Sequence, residues 1–223
     1  MQLPVSGNDL AAHDHSSASF GIARRHDRPR AAASLLHVGE NPPMDTPSRA
    51  DSSLLQGFPP VATRDARVLV LGSMPGVASL QAERYYAHPR NAFWPIMGEL
   101  VGADPALPYA QRLARLKSAG IALWDVLDRC EREGSLDSAI VDATAQANDF
   151  AEFFKQHAKL RTVLFNGAKA EAAYRRFGPP LEAFGLLAFR LPSTSPANAA
   201  VAFAKKLAAW REALQAAGVV KSY

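Results

Sequence analysis

The chain has 223 residues and is 48% hydrophobic, 9% aromatic and 21% charged, which is ordinary usage for a soluble globular protein. Its formal net charge of +4 is a mild lean toward an anionic partner, and no run approaches the ~18 apolar residues that a membrane helix needs. The single cysteine, Cys130, excludes an internal disulfide framework and any cluster held by four cysteines of this chain. The N-terminus lacks the basic start and apolar run of a secretory signal, so we expect a cytoplasmic protein.

The N-terminal region differs from the rest of the chain. Residues 1–43 show no helical or strand periodicity, are rich in Ser, Gly, Pro and Ala, and balance basic side chains with acidic ones. We therefore predict that residues 1–56 are a disordered extension and that residues 57–223 form one domain, with Met44 as an alternative start of the chain. Metal binding is an alternative role for the irregularly spaced histidines of this extension, which are His13, His15, His26 and His37.

From about Arg64 onward, short apolar runs alternate with amphipathic segments. In chain order we predict a strand at Arg67–Leu71, a proline- and glycine-rich aromatic loop to Ala92, helices at Pro95–Val101 and Tyr109–Ser118, a strand at Ile121–Leu127, a polar turn-like segment at Asp128–Gln146, a helix at Asp149–His157, a strand at Thr162–Phe165, a helix at Ala168–Phe177, a strand at Ala188–Leu191 and a helix at Ala199–Ala217.

The last of these helices carries the clearest apolar stripe, because its large side chains recur at helical spacing: Phe203, Leu207, Trp210 and Leu214. Strands that alternate with helices predict an α/β sandwich with a largely parallel sheet. In such sheets, ligands bind beyond the carboxyl ends of the strands. The segments that follow the predicted strands are therefore the candidates for chemistry.

The first candidate segment, GSMPG at residues 72–76, follows the first predicted strand. It matches neither a dinucleotide-binding fingerprint nor a phosphate loop. Its two glycines would let the backbone approach a ligand closely, and a plain β-turn is the alternative interpretation.

The second candidate segment, YYAHPRNAFWP at residues 85–95, holds four aromatic side chains together with a histidine, an arginine and an asparagine. Aromatic side chains stack on bases and arginine contacts phosphate, so this mixture suits nucleic acid. Structural alternatives remain open, since Asn91 can cap a helix and His88 can be a satisfied structural histidine. Phe93 and Trp94 can likewise belong to the core.

Two further candidate segments follow later strands. Asp125, beside Trp124 at a strand end, is either a turn-forming residue or a ligand-binding one. The segment LPSTSPAN at residues 191–198 precedes the last helix. Its hydroxyl groups, flanked by prolines at a helix N-terminus, can bind phosphate or, with Asn198, cap the helix.

Together these segments resemble the uracil-DNA glycosylase superfamily, and within it most closely the hypoxanthine-DNA (deoxyinosine) glycosylase branch. The resemblance covers about residues 57–217 and rests on five motifs in the expected order: GSMPG, YYAHPRNAFW, GIALWDVLDRCEREGSLDSAI, LFNGAKA and LPSTSPANA. It implies a three-layer α/β/α sandwich with a central four-stranded, largely parallel sheet. It also implies a monofunctional DNA glycosylase, a monomer without metal or cofactor, that acts on DNA containing a deaminated base.

The resemblance implies two catalytic residues. Relatives often have Asp or Asn where this chain has Met74, and a thioether cannot activate water, so the resemblance points to Asn91 instead. As a neutral amide, Asn91 could orient the attacking water but could not act as a general base. His88 would donate a hydrogen bond to the departing purine and help to neutralise its charge.

The resemblance also implies residues that hold the base and the DNA. Asp125 would recognise the base as an ionised, acceptor-only carboxylate that takes the N1–H of hypoxanthine and leaves O6 to loop backbone. Phe93 would match the aromatic residue that stacks on the flipped base. The base-binding residues are then Gly72, Ser73, Met74, Phe93 and Asp125, and the DNA-binding residues are Arg90, Asn166, Gly167, Ser193, Thr194 and Ser195.

Two alternatives to hypoxanthine release stay open at this point. One is a glycosylase of the same fold directed at uracil or at mismatches, and the other is a DNA-binding relative that has lost catalysis. Met74 in the first loop, residues 72–76, favours the inactive relative, whereas Asn91 near Phe93 argues against it.

Overall fold

A computed structural model describes residues 54–221 of the chain. The predictions for residues 1–53, including the extension and the alternative start at Met44, lie outside the described residues. Within the described part, no helix is both long and apolar enough to cross a membrane.

Seven strands and six α-helices make up this part of the chain. The strands are β1 (Leu54–Gln56), β2 (Val68–Gly72), β3 (Ile121–Asp125), β4 (Leu127–Glu131), β5 (Gln146–Ala147), β6 (Thr162–Asn166) and β7 (Leu187–Leu191). The helices are α1 (Val77–Ala82), α2 (Phe93–Val101), α3 (Tyr109–Ser118), α4 (Phe150–Gln156), α5 (Ala168–Phe177) and α6 (Phe203–Ala216).

Four parallel strands form the central sheet in the order β3-β2-β6-β7. The register places Val70 of β2 between Leu123 of β3 and Leu164 of β6. All residues of β2 and β3 are buried. A parallel sheet covered on both faces needs unbroken apolar strands, which is why these two strands are visible in the sequence as apolar runs.

Helices cover both faces of this sheet, so the predicted three-layer sandwich is confirmed. Leu69 of β2 belongs to one apolar cluster together with Phe150 of α4. Val70, the next residue, belongs to a second apolar cluster together with Trp210 of α6. Neighbouring side chains of one strand thus face opposite helical layers, as the pleat of a strand requires.

The predicted strand at Ile121–Leu127 is wrong at its C-terminal end, because the chain turns at Val126. There the Val126 N–H donates to the backbone oxygen of Gly72 at 2.9 Å. The chain then enters β4, which pairs antiparallel with β1 and β5 in a second, three-stranded sheet. The segment predicted to be polar turns therefore starts with a strand, whose only fully buried side chains are Leu127 and Cys130.

Several other boundaries differ from the prediction, most by one or two residues and three by more. Helix α1 lies within the stretch predicted as loop, and Leu54–Gln56, assigned to the extension from the sequence, form β1. The last helix begins at Phe203, because Pro196–Asn198 forms a separate 3-10 turn before it. Phe203 is consequently exposed, while the rest of the predicted stripe turns toward the protein, with Trp210 fully buried.

The parallel order of the central sheet brings the functional segments together. The residues that end its strands at the shared carboxyl edge are Gly72, Asp125, Asn166 and Leu191. Each of the segments that the sequence singled out after a strand therefore begins at this one edge.

Candidate active site

A pocket of about 640 Å³ opens at this edge of the central sheet. Its volume falls in the range of roughly 300–1,000 Å³ that is usual for small-molecule sites. It collects side chains from all four candidate segments and from a fifth, residues 135–138. The described residues that line it are Gly72, Ser73, Met74, Pro75, Gly76, Ala78, Ser79, Tyr85, Tyr86, His88, Arg90, Asn91, Asp125, Ser135, Leu136, Asp137, Ser138, Asn166, Ser193, Thr194, Ser195, Pro196, Ala197 and Asn198.

Asp125 lies at the floor of the pocket, where β3 ends. Its side chain is buried, and Oδ2 has no hydrogen-bond partner among the described residues. A Cβ atom at position 72 would lie 2.2 Å from the other oxygen, Oδ1. Glycine at position 72 therefore makes the space that the carboxyl group occupies.

Burial controls the protonation of this carboxyl group. The pKa of Asp125 is raised to about 7, first by burial and second by the negative charge of Asp137, while the positive charge of Arg132 lowers it. Near neutral pH, a large share of molecules therefore carries the protonated acid. The protonated acid has an O–H donor as well as an acceptor, which the acceptor-only interpretation of the sequence does not include.

The aromatic side chains that line the pocket are Tyr85 and Tyr86, and the expected stacking of Phe93 on a base stays a prediction. Phe93 is fully buried in the core at the start of α2 and does not line the pocket. Its ring stacks on Tyr86 with 3.9 Å between ring centroids and 24° between planes. Tyr86 is only partly buried and has a left-handed φ of 54°. Phe93 thus supports from behind the ring that is open to a ligand.

Asn91 lies in the pocket wall, as the resemblance implied, and also holds the start of a helix. Its Oδ1 accepts a hydrogen bond from the Phe93 N–H at 3.0 Å, in keeping with the capping alternative. A carbonyl oxygen has two lone pairs, so Oδ1 keeps one for a bound water. The two interpretations of Asn91 are therefore compatible.

His88 and Arg90 precede Asn91 along the same wall. The Arg90 N–H donates to Nδ1 of His88 at 3.1 Å. In the neutral imidazole the proton must then lie on Nε2, which makes Nε2–H the available donor. The Arg90 side chain is exposed.

Asn166 holds the loop that follows β7. Its Nδ2 donates to Thr194 Oγ1 at 2.9 Å, and its Oδ1 accepts from the Thr194 N–H at 2.8 Å. Gly167 does not line the pocket. Its φ is 105°, and a Cβ atom added there would lie 2.8 Å from the Ser193 Cβ. Both observations require glycine at this position. Asn166 and Gly167 therefore set the position of Ser193 and Ser195, which do line the pocket.

The first loop contributes little polar side chain to the pocket. Ser73 and Met74 are 7% and 5% exposed. Met74 also packs in the apolar cluster on the α4 side of the sheet, so its thioether serves the core as well as the pocket wall.

Residues 135–138, which follow β4, also line the pocket, although they are not among the site residues predicted from the sequence. Arg132 is buried and donates to the backbone oxygens of Gly134 at 3.0 Å and Pro75 at 2.5 Å, so it ties this segment to the first loop. The Ser135 hydroxyl also accepts a hydrogen bond from the first backbone N–H of α1 at 2.9 Å. The segment belongs to the quoted motif GIALWDVLDRCEREGSLDSAI, but its polar composition indicated only turns.

Taken together, the pocket suits a flat heterocycle with a polar edge. It offers an aromatic face in Tyr86, a buried carboxyl group in Asp125, and an imidazole donor and an amide closer to the mouth. Between residues 54 and 221, no group of three or more His, Cys, Asp or Glu side chains could hold a metal ion.

Comparisons with known proteins agree with this chemistry. The family model of the uracil DNA glycosylase superfamily matches residues 59–217. The chain is 38% identical over 161 residues to a hypoxanthine DNA glycosylase of Methanosarcina barkeri, covering 72% of this chain and 98% of that protein. It is also 38% identical over 144 residues to a hypoxanthine DNA glycosylase of Methanosarcina acetivorans, covering 64% and 87%. A solution NMR structure of a provisionally assigned uracil DNA glycosylase from Methanosarcina acetivorans superposes with a TM-score of 0.60 at 35% identity, covering 71% of this chain and 98% of that one.

The contact between Gly72 and Asp125 predicts that alanine substitutions at the two glycines of the first loop differ in their effect on the free energy of unfolding. Gly72→Ala should lower the free energy of unfolding by about 1–3 kcal/mol, the usual cost of overpacking, because the new methyl group collides with Oδ1 of Asp125. Gly76→Ala is the matched control, since its Cβ would lie an ordinary 3.6 Å from the nearest atom, Oγ of Ser135. Urea denaturation measures both, and equal stability of the two variants would contradict the prediction.

The raised pKa of Asp125 predicts a pH-dependent stability. Between about pH 4 and pH 7 the folded state keeps a proton on Asp125 that the unfolded chain, with an ordinary value of 3.8, releases. The contribution of this group to the free energy of unfolding therefore falls by roughly 1 kcal/mol per pH unit as the pH rises from 5 to 7, and then levels off.

Urea denaturation at several pH values tests this, with wild type compared against Asp125→Asn. The unfolding free energy of wild type should fall relative to that of Asp125→Asn as the pH rises, because the asparagine does not titrate. Glu133→Gln, which removes an exposed carboxylate, should keep the wild-type slope. Parallel curves for wild type and Asp125→Asn would refute the assignment.

Proposed function

This chain belongs to the uracil DNA glycosylase superfamily and is a DNA glycosylase, and we propose that the base it releases is hypoxanthine, from deoxyinosine in DNA. The observation that carries the proposal is the buried carboxyl group of Asp125, which has an oxygen without a partner at the floor of a pocket beside an aromatic ring. The names of the two relatives support the choice of base.

The depth of Asp125 requires the target base to leave the DNA stack. A side chain that is 4% exposed cannot reach a base inside a duplex. Flipping the nucleotide out costs a few kcal/mol and costs least at damaged or mispaired bases. A deaminated base pairs poorly with its old partner, so it is the easiest base to bring into this pocket.

Asp125 recognises the lactam edge of the base. Hypoxanthine presents the N1–H donor and the O6 acceptor side by side. The protonated carboxyl group presents an acceptor and an O–H donor at matching positions, so two hydrogen bonds form and Oδ2 gains the partner that it lacks. In the ionised form one oxygen still accepts from N1–H. Adenine has no hydrogen on N1, so it cannot make this last bond.

Tyr86 provides the stacking surface. Its ring is backed by Phe93 at 3.9 Å between centroids, so it is already fixed when the base arrives. Stacking of a base on an aromatic side chain contributes about 1–3 kcal/mol, which offsets much of the flipping cost. The Tyr86 hydroxyl is buried without a partner among the described residues, so the ring, and not the hydroxyl, carries the role.

Three residues of the wall serve the reaction and the DNA backbone. The Asn91 amide orients the attacking water, and Nε2–H of His88 donates to the purine as negative charge develops on it. Arg90 contacts a phosphate together with the hydroxyl groups of the loop after β7, namely those of Ser193 and Ser195, while Thr194, Asn166 and Gly167 hold that loop in place.

Uracil offers a lactam edge of the same pattern, which makes it the second candidate substrate. The carboxyl group of Asp125 alone does not separate the two bases. What distinguishes them is ring size, because a purine covers more of the Tyr86 ring than a pyrimidine does.

The monomeric state and the cytoplasmic location of the protein remain predictions.

Base release from defined oligonucleotides tests the proposal. We expect wild type to release hypoxanthine from a duplex with one deoxyinosine, and Asn91→Ala to lower the single-turnover rate by at least about 100-fold, in the range usual for groups that position a reacting water or proton. DNA affinity should change little, because Asn91 acts on the water. Release is measured as alkali-sensitive nicking.

Each outcome has a distinct meaning. Release of uracil alone would keep the glycosylase and contradict the choice of hypoxanthine. Binding of DNA without release of either base would point to the inactive relative. Asn91→Gln is the partner variant, since it keeps the amide but displaces it.

Substitution of Tyr86 separates stacking from hydrogen bonding. Tyr86→Phe should keep the rate within about threefold of wild type, because the hydroxyl has no partner to lose. Tyr86→Ala should weaken binding of the lesion by roughly 5- to 150-fold, the equivalent of about 1–3 kcal/mol of stacking. Fluorescence anisotropy with deoxyinosine DNA measures both, and a large defect in Tyr86→Phe would contradict the stacking role.

A further inference from the structure

Apart from Asp125, which is committed to the base at the floor, the candidate residues of the pocket offer no group that can take a proton from water. Met74 is a thioether in the first loop. Asn91 is a neutral amide whose Oδ1 is already bound to a backbone N–H. His88 uses Nδ1 as an acceptor for the Arg90 N–H, so its neutral ring has no free acceptor nitrogen. A hydrolysis reaction in this pocket still needs a base for the proton that water loses.

Asp137 supplies a second carboxyl group in the same pocket. It is the first residue of the 3-10 turn Asp137–Ala139, it lines the pocket and it is only partly buried. Apart from Asp125, it is the only carboxylate among the described lining residues. Arg132 fixes the start of this segment through its bonds to the backbone oxygens of Gly134 and Pro75. Asp137 therefore lies on an anchored segment.

The two carboxyl groups lie in different environments, which suits them to different roles. Burial raises the pKa of Asp137, whereas the Ser73 hydroxyl and the positive charges of Arg132 and Lys169 lower it. Asp125 has no such hydroxyl and is fully enclosed, and the charge of Asp137 acts against its ionisation. The pKa of Asp137 is raised on balance, but the Ser73 hydroxyl, Arg132 and Lys169 favour its ionised form relative to that of Asp125. Two carboxyl groups in such different environments can divide acid and base work.

The orientation of the base decides which carboxyl group is near the sugar. The lactam edge of a purine lies at the far end of the base from N9, the atom bonded to C1′ of deoxyribose. When that edge contacts Asp125 at the floor, N9 and C1′ must point toward the mouth. Asp137 lines the same pocket and is less buried than Asp125, which supports a place for its carboxyl group nearer the mouth, where the sugar remains.

We propose that Asp137 is a catalytic residue that binds the attacking water at the mouth of the pocket and accepts its proton, a role that rests on the proposed glycosylase function. The water oxygen forms a bond to C1′ while the bond from C1′ to N9 breaks and its electron pair leaves with the base. The proton released by water passes to the Asp137 carboxylate. The departing base takes a proton from solvent, assisted by the hydrogen bond from His88, and the sugar keeps the new hydroxyl group.

The same carboxylate also faces the sugar as positive charge develops on it. A negative charge held near an oxocarbenium-like centre stabilises the transition state more than the ground state, which is what lowers a barrier. Asp137 thereby takes over in this chain the polar role that the thioether of Met74 cannot fill.

The test is single-turnover base release by the full chain carrying Asp137→Asn. General-base catalysis contributes about 100- to 10,000-fold, so the rate should fall by that factor while the affinity for deoxyinosine DNA changes by less than about threefold. The acid limb of the pH–rate profile should also disappear. The groups that face Asp137 and shape this limb are Asp125, Arg132, Lys169 and Ser73.

Glu133→Gln is the matched control. It removes one negative charge four residues before Asp137. Glu133 is exposed and does not line the pocket, so the rate of base release by this variant should equal that of wild type. If Asp137→Asn fails to fold, as judged by circular dichroism, Asp137→Glu is measured instead. The longer side chain displaces the carboxylate but keeps its charge, so it should lower the rate and retain the acid limb.

The outcomes separate this inference from the proposed function. A rate for Asp137→Asn within about threefold of wild type overturns the role of Asp137 while leaving the glycosylase intact. Release of uracil but not hypoxanthine by wild type contradicts the proposed base, and the same comparison on deoxyuridine then tests Asp137. Loss of DNA binding together with rate in Asp137→Asn would assign the residue a structural role and also overturn the inference.

Discussion

A carboxyl group enclosed at the end of a central strand is the constraint on which the rest of this pocket depends. One oxygen of Asp125 has no partner among the described residues, and an unsatisfied buried polar atom costs about 1–3 kcal/mol. The fold sustains that cost through two fully buried strands, β2 and β3, whose apolar residues pack against helices on both sides. A bound base that offers a hydrogen-bond partner to this oxygen satisfies it, so the position of the carboxyl group favours a ligand with a polar edge.

Hydrogen bonds between loops give the pocket its fixed shape. Arg132 joins the first loop to the segment after β4, and Asn166 joins the end of β6 to the loop after β7 through two bonds to Thr194. Both ties connect segments that are distant in sequence, since Arg132 and Pro75 are 57 residues apart and Asn166 and Thr194 are 28 residues apart. The polar groups around the base are therefore held by the scaffold before DNA arrives, which is the condition for effective electrostatic catalysis.

The sequence predicts the central sheet well and the second sheet poorly, for a physical reason. Strands buried on both faces must be apolar throughout, so β2 and β3 stand out in a single sequence. Strand β4 has the sequence LDRCE and buries only Leu127 and Cys130, which are three positions apart. Its partners β1 and β5 have three and two residues, which are too few to show a period. Its pairing depends on long-range contacts that no local pattern encodes.

The site shows the same limit at the level of single residues. Motif order correctly placed Asp125, His88, Asn91 and Asn166 at one pocket. It did not predict that Tyr86 lines the pocket with Phe93 behind it, because the relative depth of two aromatic residues seven positions apart depends on the direction of α2. Asp137 escaped notice because an aspartate in a polar segment is usually a turn residue, and long-range hydrogen bonds of Arg132 and Ser135 bring its segment to the pocket.

The fit between Gly72 and Asp125 also bears on how this protein can change over generations. With 2.2 Å between an added Cβ and Oδ1, any side chain at position 72 requires the Asp125 carboxyl group to move. A larger residue at position 72 is therefore tolerated more readily once residue 125 has a smaller side chain, and the aspartate is restored more readily where position 72 is glycine. The order in which the two positions change thus matters, and the effects of their substitutions are non-additive.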